Sequence, residues 1–127
     1  MDNKTIVSTS NAPLPIGQYS QAVKVGQTLY VSGQIALDPV TNQLITNDIS
    51  EETNQVMLNI QAVLDAAGLS FSNVVKCSIF VNDMGNFAAV NEVYGRFFPE
   101  NPPARETVEV SKLPKNVNVE ISCIACH

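Results

Sequence analysis

Two segments near the end of the chain alternate apolar and polar residues, and this pattern most restricts the possible folds. The first covers residues 102–110 and the second residues 117–121, with a short loop containing Pro114 between them. Alternation with a period of two is typical of a β-strand that has one face in a core and one face outside it. The pattern therefore predicts two strands, each with one apolar face.

The polar faces of these two strands carry an arginine, a threonine and a glutamate. If the strands pair as a hairpin, Val110 meets Val117 and Thr107 lies opposite Glu120. Arg105 is then a diagonal neighbour of Glu120, roughly 7–8 Å away. A guanidinium fork matches a carboxylate in two hydrogen bonds, so this face is predicted to bind a small anionic molecule.

Other roles are open for both charged residues. Arg105 could instead form an ion pair with Glu106, Glu109 or Glu120, and Glu120 could be a surface residue of an edge strand. Apolar neighbours flank Glu120, and such surroundings disfavour the ionised carboxylate, which suits a general acid–base group. The spacing alone does not choose between these readings.

Size and charge exclude several classes of function. The chain has 127 residues, 45% hydrophobic and 15% charged, with a formal net charge of −5. We expect one domain over residues 1–127, no nucleic-acid partner because no basic stripe is present, and no anionic membrane partner. No stretch approaches the roughly 18 apolar residues of a membrane helix. The polar start, with Pro13 and Pro15, does not resemble a signal peptide, so a cytoplasmic location is expected.

The chain ends in Cys123-Ile-Ala-Cys126-His127, which spells the C-x-x-C-H pattern of c-type haem attachment. Strand residues three apart point to opposite faces, which argues against haem, a redox dithiol or a metal site there. We expect reduced thiols at Cys77, Cys123 and Cys126, in ordinary strand positions.

The rest of the chain predicts further strands and two helices. The strands are expected at residues 6–8, 21–25, 28–37 and 74–81. Helix signals run from an N-cap at Ser50 to a C-terminal cap at Gly68, and from Phe87 to Phe97. Gly33 inside a strand predicts a bulge or a close backbone approach, with a simple bend as the alternative. Asn91 lies beside the second helix's apolar stripe, where it could reach a site or be solvated.

The resulting order, β-β-β-α-β-α-β-β, predicts an α+β two-layer sandwich with two helices on one face of a mixed or antiparallel sheet. No predicted element remains to cover the other face, so association of like subunits is expected. The only histidine is His127, and no phosphate-binding glycine loop is present. An enzyme of this composition is expected to work without metal or cofactor, with water as the second reactant, on an already activated bond.

Five stretches of the chain resemble one known family. They are residues 16–22 (IGQYSQA), 30–35 (YVSGQI), 73–76 (NVVK), 87–94 (FAAVNEVY) and PPARETVEVSKLPKNVNVEISCIA. Together they resemble, over essentially the whole length, the Rid family of reactive imine and enamine deaminases, the YjgF-type proteins. The resemblance implies a chorismate-mutase-like homotrimer with active sites between subunits.

The resemblance also implies an activity and a set of site residues. Deaminase members act as 2-iminobutanoate/2-iminopropanoate deaminases, hydrolysing imines derived from 2-aminocrotonate and 2-aminoacrylate to 2-keto acids and ammonia without a cofactor. Arg105 matches the residue that holds the substrate carboxylate, and Glu120 the residue that handles the water. Further positions match residues lining the cleft or lying beside the substrate: Tyr19, Ser32, Gly33, Asn91 and Thr107.

Three positions depart from the family pattern. Gln18 replaces a common proline, Thr107 stands where many deaminases have cysteine, and Glu106 adds an acid next to Arg105, although on the opposite strand face. Thr107 leaves the substrate preference open. A non-catalytic small-carboxylate-binding or regulatory trimer is the alternative function. The RNA-cleaving role of some relatives fits poorly with the acidic charge.

Overall fold

A computed structural model describes residues 3–127, which form one six-stranded sheet and two helices. The elements in chain order are β1 (Thr5–Val7), β2 (Ala22–Val25), β3 (Thr28–Gln34), α1 (Ile49–Ala66), β4 (Val74–Val81), α2 (Phe87–Arg96), β5 (Ala104–Glu109) and β6 (Val119–Cys126). The spatial strand order is β1-β2-β3-β6-β4-β5. Strands β4 and β5 run parallel and the other neighbours antiparallel. The predicted element order and the α+β sandwich are confirmed.

The two helices cover one face of the sheet and enclose the core. Helix α1 contributes a stripe of residues with almost no solvent exposure: Val56, Met57, Ile60, Val63 and Leu64. The helix begins at Ile49, and the Asp48 side chain accepts from the Ser50 N–H at 2.9 Å, so Asp48 is the N-cap rather than Ser50. Past the other end, Gly68 adopts a φ of +74°, a left-handed conformation that glycine tolerates without strain.

Strand β6 lies in the middle of the sheet and separates two environments. Its residues Val119 and Ile121 are fully buried under the helices, whereas Glu120 and Ser122, which alternate with them, are only partly buried on the opposite face. Within residues 3–127 no helix packs on that opposite face, which we call the bare face. It exposes large apolar side chains, among them Tyr30 at 51%.

The predicted hairpin of the last two strands is wrong. Strand β5 pairs with β4 and not with β6, and β4 lies between them. The physical reason is the crossover β4-α2-β5, because a helical connection returns the chain parallel to the strand that it left. The connection over residues 110–118 then brings β6 into the centre of the sheet, where both of its edges are paired.

The predicted facing of β5 is also wrong. The parallel register aligns Arg105 with Cys77 and Thr107 with Ile79, whose side chains point toward the helices. Val108, which belongs to the apolar face that the alternation placed in the core, is 40% exposed on the bare face. Arg105 therefore lies on the helix side of the sheet, whereas Glu120 lies on the bare face.

Smaller differences concern strand ends and irregularities. Strand β3 ends at Gln34 rather than at residue 37, and β6 begins at Val119 rather than at residue 117. In β4 a register shift between Val74 and Lys76 makes Val74 buried and Val75 exposed. A bulge of this kind inserts one unpaired residue and re-aims the side chains beside it.

The cysteines are strand residues, as predicted. Cys77, Cys123 and Cys126 are free thiols, and burial raises the pKa of the Cys77 and Cys123 thiols. In the part of the chain that the structure describes, no group of three His, Cys, Asp or Glu side chains is placed to hold a metal ion. Neither helix of residues 3–127 has the length and apolar character needed to cross a bilayer.

Candidate active site

Arg105 is held against helix α2 by an amide and two aromatic rings. Its Nη1 donates to Asn91 Oδ1 at 2.7 Å, and its Cζ lies 5.5 Å from the ring centre of Phe87 and 5.2 Å from that of Tyr94. Stacking on aromatic faces and one directed hydrogen bond restrict the guanidinium while leaving most of its N–H donors free. Among residues 3–127, no carboxylate comes within 4.0 Å of Arg105, so the alternative of an ion pair is not formed.

An open cavity of about 470 Å³ lies in front of Arg105. Asn91 and Arg105 form its polar wall, and the remaining lining residues are Tyr94, Gly95, Phe98, Pro102 and Pro103. A cation with free donors beside an aromatic and proline-rich wall can bind a small molecule that has a carboxylate and an apolar part. We call this the arginine cavity.

Glu120 lies in a second cavity, of about 480 Å³, on the bare face. Its carboxylate rests directly on Gly33, since a Cβ built on Gly33 would be 2.5 Å from Glu120 Oε2. Strand β3 is irregular here, with a register shift between Val31 and Gln34, so the predicted bulge and the predicted close approach at Gly33 are both present. We call this the glutamate cavity.

The Glu120 carboxyl has the electrostatics of an acid–base group. Burial raises its pKa above the ordinary value for glutamate. Within the described residues, it accepts no hydrogen bond and forms no ion pair, so nothing compensates the lost hydration of its charged form. A carboxyl group with a raised pKa holds a proton more tightly than a solvated one, which suits general acid–base catalysis.

The loop before β2 brings Tyr19 to the glutamate cavity. The buried Gln21 side chain anchors this loop, donating to the carbonyls of Thr9, Ala12 and Pro13 at 2.8–3.2 Å. Ser32 Oγ donates to the Ser20 carbonyl at 2.6 Å, so the Ser32 hydroxyl holds the loop beside the cavity that it lines. Tyr19 itself is 53% exposed and free to contact a ligand.

A strained turn closes the opposite wall of the glutamate cavity. Lys115 and Asn116 adopt φ angles of 54° and 57°, a left-handed conformation that costs a residue with a Cβ on the order of 1 kcal/mol. Pro114 and Lys115 line the cavity. Two residues after the turn the chain enters β6, so the segment that shapes this wall also leads to Glu120.

The structure divides the predicted site residues into two groups. Tyr19, Ser32, Gly33 and Glu120 line the glutamate cavity, and Asn91 and Arg105 line the arginine cavity. Arg105 aligns through Cys77 with Cys123, so two inter-strand spacings and three residues along β6 separate Arg105 from Glu120. This corresponds to roughly 14 Å between their Cα atoms. The two groups lie on opposite faces, so one chain does not bring them together.

Thr107 is the predicted residue that lines neither cavity. Its Oγ1 is buried and has no hydrogen-bond partner in the described part of the chain, and the same holds for the Tyr94 hydroxyl. Burial also raises the pKa of Tyr94, which keeps that hydroxyl protonated. Glu106 points to the bare face, away from Arg105, and pairs with Lys76 at 2.9 Å.

Several lining residues were missed from the sequence. In the glutamate cavity they are Ile16, Ile35, Pro114 and Lys115, and in the arginine cavity Tyr94, Gly95, Phe98, Pro102 and Pro103. All of them except Gly95 and Phe98 lie within the family-like stretches, so those stretches were an available signal. Lys115 reaches the cavity wall through a backbone conformation that its residue type disfavours, and the residue pattern gave no sign of that conformation.

Comparisons with known proteins agree with this architecture. A family model described as endoribonuclease L-PSP matches residues 9–127. A RutC family protein from Pyrococcus horikoshii is 50% identical over 122 residues, which are 96% of this chain and 97% of that protein. A protein from Dermatophagoides farinae named 2-iminobutanoate/2-iminopropanoate deaminase is 48% identical over 124 residues, 98% of this chain and 97% of its own length.

A solved structure extends the likeness from sequence to fold. The crystal structure of the conserved Rid family protein YyfA from Yersinia pestis matches with a TM-score of 0.96 at 46% identity, covering 98% of this chain and 100% of that one. The family model and these relatives align with nearly the whole chain, so the likeness is not confined to one motif. The chain therefore belongs to the Rid family of YjgF/RidA-type proteins.

Proposed function

We propose that this protein is a 2-imino acid deaminase, which hydrolyses 2-iminobutanoate and 2-iminopropanoate to the 2-keto acids and ammonia without a cofactor. The observation that carries the proposal is the Glu120 carboxyl, which lies on Gly33 in an open cavity with no partner and a raised pKa. The Dermatophagoides farinae relative is named for the same reaction, which supports the proposal.

The reaction needs little from the protein. Water adds to C2 of the imine while the imine nitrogen takes a proton, and the resulting carbinolamine loses ammonia to leave the keto group. Glu120 takes a proton from the attacking water and returns one to the leaving nitrogen, which suits a carboxyl group with a raised pKa. Arg105 binds the substrate carboxylate and holds C2 in place, so positioning supplies the rest of the acceleration.

The working site requires two copies of the chain, because Arg105 and Glu120 lie on opposite faces of one sheet. We propose a homotrimer in which the arginine cavity of one subunit faces the glutamate cavity of the next. The bare face supports this assembly, since it exposes Tyr30 at 51%, Val75 at 48% and Val108 at 40%. Apolar side chains at this density are typical of a surface buried by like subunits.

A coupled assay tests the activity. Purified protein is added to a serine or threonine dehydratase reaction that releases 2-aminoacrylate or 2-aminocrotonate, and the formation of pyruvate or 2-oxobutanoate is followed. We expect the wild-type protein to accelerate keto-acid release and Arg105→Ala to abolish the acceleration. An unchanged rate with wild-type protein would refute the proposed function.

Light scattering tests the assembly separately, with an expected mass of three chains of 13.7 kDa each. A monomer that still accelerates the reaction would contradict the shared site. Mixing inactive Arg105→Ala and inactive Glu120→Ala chains sharpens the test, because some mixed interfaces then carry one intact copy of each residue. We expect activity to return in the mixture.

A non-catalytic carboxylate-binding protein is the second candidate. The arginine cavity favours it, since Arg105 and Asn91 could bind a 2-keto acid without help from Glu120. Calorimetric binding of 2-oxobutanoate with no acceleration of imine hydrolysis would support this candidate over the deaminase.

A further inference from the structure

The carboxylate of Glu52 is buried in the core, and the proposed reaction does not use it. Glu52 lies in the first turn of α1 and has 0% of its surface exposed. Its Oε2 accepts from the backbone N–H groups of Asn118 at 2.8 Å and Val119 at 3.3 Å, and its Oε1 accepts from Asn118 Nδ2 at 2.7 Å. Removing a carboxylate from water is costly, so three N–H donors at one place indicate a specific use.

Asn118 extends this contact to the end of β4. Its Oδ1 accepts from Asn82 Nδ2 at 3.0 Å, and its carbonyl accepts from the Asn82 N–H at 3.2 Å. The Glu52–Asn118–Asn82 network therefore joins α1, β4 and the residue that precedes β6. These hydrogen bonds fix the position and the direction of the backbone at the start of β6.

Glu120 is the second residue of β6 and points away from Glu52 through the sheet. Because strand residues alternate, any slip or tilt at Asn118 and Val119 moves the Glu120 carboxylate relative to Gly33. The turn with Pro114 and Lys115, which lines the glutamate cavity, leads into the same end of β6. We infer that Glu52 is a positioning residue for Glu120: by fixing the start of β6, Glu52 keeps the Glu120 carboxylate against Gly33.

This inference rests on the proposed function for its kinetic consequence, but its structural content can be measured without activity. Replacing the Glu52 carboxylate by an amide tests the structural content. Glutamine keeps the size of the side chain but turns one acceptor oxygen into a donor, which then faces N–H groups of Asn118 or Val119. One part of the network is lost while the core stays filled.

The experiment compares Glu52→Gln with Thr53→Val. Thr53 is the next residue of the same helix, is also fully buried, and bonds only the Ile49 carbonyl of its own helix, at 2.8 Å. We expect Glu52→Gln to lower kcat about tenfold with KM within about twofold, because the chemical group moves while Arg105 stays in place. For Thr53→Val we expect both constants within about twofold.

The second readout is the titration of the Glu120 carboxyl carbon, followed by NMR. The other titratable groups that line its cavity are Tyr19 and Lys115, and both are unchanged in the two variants. We expect the midpoint to move in Glu52→Gln and to match the wild type in Thr53→Val. A midpoint unchanged in Glu52→Gln, or losses of equal size in both variants, would overturn the inference in favour of a purely structural role.

The test also decides when the wild type is inactive or when Glu52→Gln does not fold. If the wild-type protein shows no deaminase activity, the proposed function fails, and the NMR comparison alone decides the role of Glu52. If Glu52→Gln does not fold, Asn118→Ala takes its place, because it removes the side-chain bonds to Glu52 and Asn82 and keeps both backbone N–H groups. We then expect a smaller change in the same direction, and wild-type behaviour of a folded Asn118→Ala would overturn the inference.

Discussion

Gly33 and Glu120 are packed so closely that no side chain fits between them: a Cβ on Gly33 would lie 2.5 Å from Oε2 and 2.9 Å from Cδ of Glu120. The φ of Gly33 lies outside the left-handed region, so space rather than backbone strain demands glycine here. The carboxylate is thereby placed against the backbone of β3 on one side and the open cavity on the other. This pair is the most specific geometric feature of the glutamate cavity.

The first prediction follows from this contact. In Gly33→Ala the new methyl group displaces the Glu120 carboxylate, which is the flexible end of its side chain, so we expect the fold to persist. Steady-state kinetics should show kcat reduced about 10- to 100-fold, the range expected for a catalytic group moved by about 1 Å.

Gly85→Ala is the matched control for this substitution. It also adds a methyl group against a carboxylate, that of Asp83 at 3.0 Å, in a turn that lines neither cavity. We expect its activity within about twofold of the wild type. Equal losses in the two alanine variants would contradict a specific role for the Gly33–Glu120 contact.

The two arginines of the chain give the second prediction. Arg105→Lys keeps a positive charge but loses the planar fork and the stacking on Phe87 and Tyr94, so we expect kcat/KM to fall on the order of 100-fold. Arg96→Lys changes only an exposed pair with Glu92, at 3.0 Å, and is expected to behave as the wild type. Full activity in Arg105→Lys would show that charge alone suffices at this position.

The third prediction concerns a negative charge added to the arginine cavity. Asn91→Asp places an anion 2.7 Å from the guanidinium, where it competes with the substrate carboxylate. We expect the affinity for 2-oxobutanoate, measured by calorimetry, to fall about tenfold, consistent with an exposed to half-buried ion pair. Asn54→Asp introduces the same negative charge at an exposed position of α1 and therefore controls for the net charge. Equal binding by Asn91→Asp and the wild type would rule out Arg105 as the carboxylate ligand.

The fourth prediction links the pKa of Glu120 to stability. Since the folded-state pKa is raised, the folded protein binds the proton more tightly than the unfolded chain. The penalty for ionisation is absent below the unfolded pKa and grows as the pH rises to the folded pKa. Glu120→Gln removes this penalty, so at pH 7 its Tm should exceed that of the wild type, by on the order of 1 °C because the group is half-exposed.

The measurement compares the Tm of both proteins at pH 7 and near pH 4. We expect the difference to shrink at the lower pH and the activity of Glu120→Gln to be lost at both. A difference in Tm that does not depend on pH would show that Glu120 is not held in a desolvated state.

The fifth prediction concerns the unpaired hydroxyl of Thr107. Thr107→Val keeps the shape of the side chain and removes a buried oxygen that has no partner among residues 3–127. We expect the free energy of unfolding to rise by about 1 kcal/mol, measured by urea titration. A loss of stability would indicate that the hydroxyl is satisfied in the assembled protein by water or a neighbouring subunit.

Local patterns predicted most of the fold. Helix α1 follows from its apolar stripe, and β4 from a run of β-forming residues that the structure reproduces over Val74–Val81. The Asp48 cap was missed because serine and aspartate are equivalent signals two residues apart. The prediction for Gly33 was correct, because a glycine inside a strand often marks a bulge or a close contact.

The identity of the candidate residues also came from the sequence, since Arg105, Glu120 and their cavity neighbours lie in family-like stretches. The pairing of the strands could not be predicted from the sequence. Alternation indicates which residues share a face, but it does not indicate which strand lies alongside or which face the helices cover. The crossover through α2 placed β4 between β5 and β6 and turned Arg105 toward the helices. Tertiary structure alone therefore separated Arg105 from Glu120, because pairing and layering depend on contacts between residues far apart in the chain.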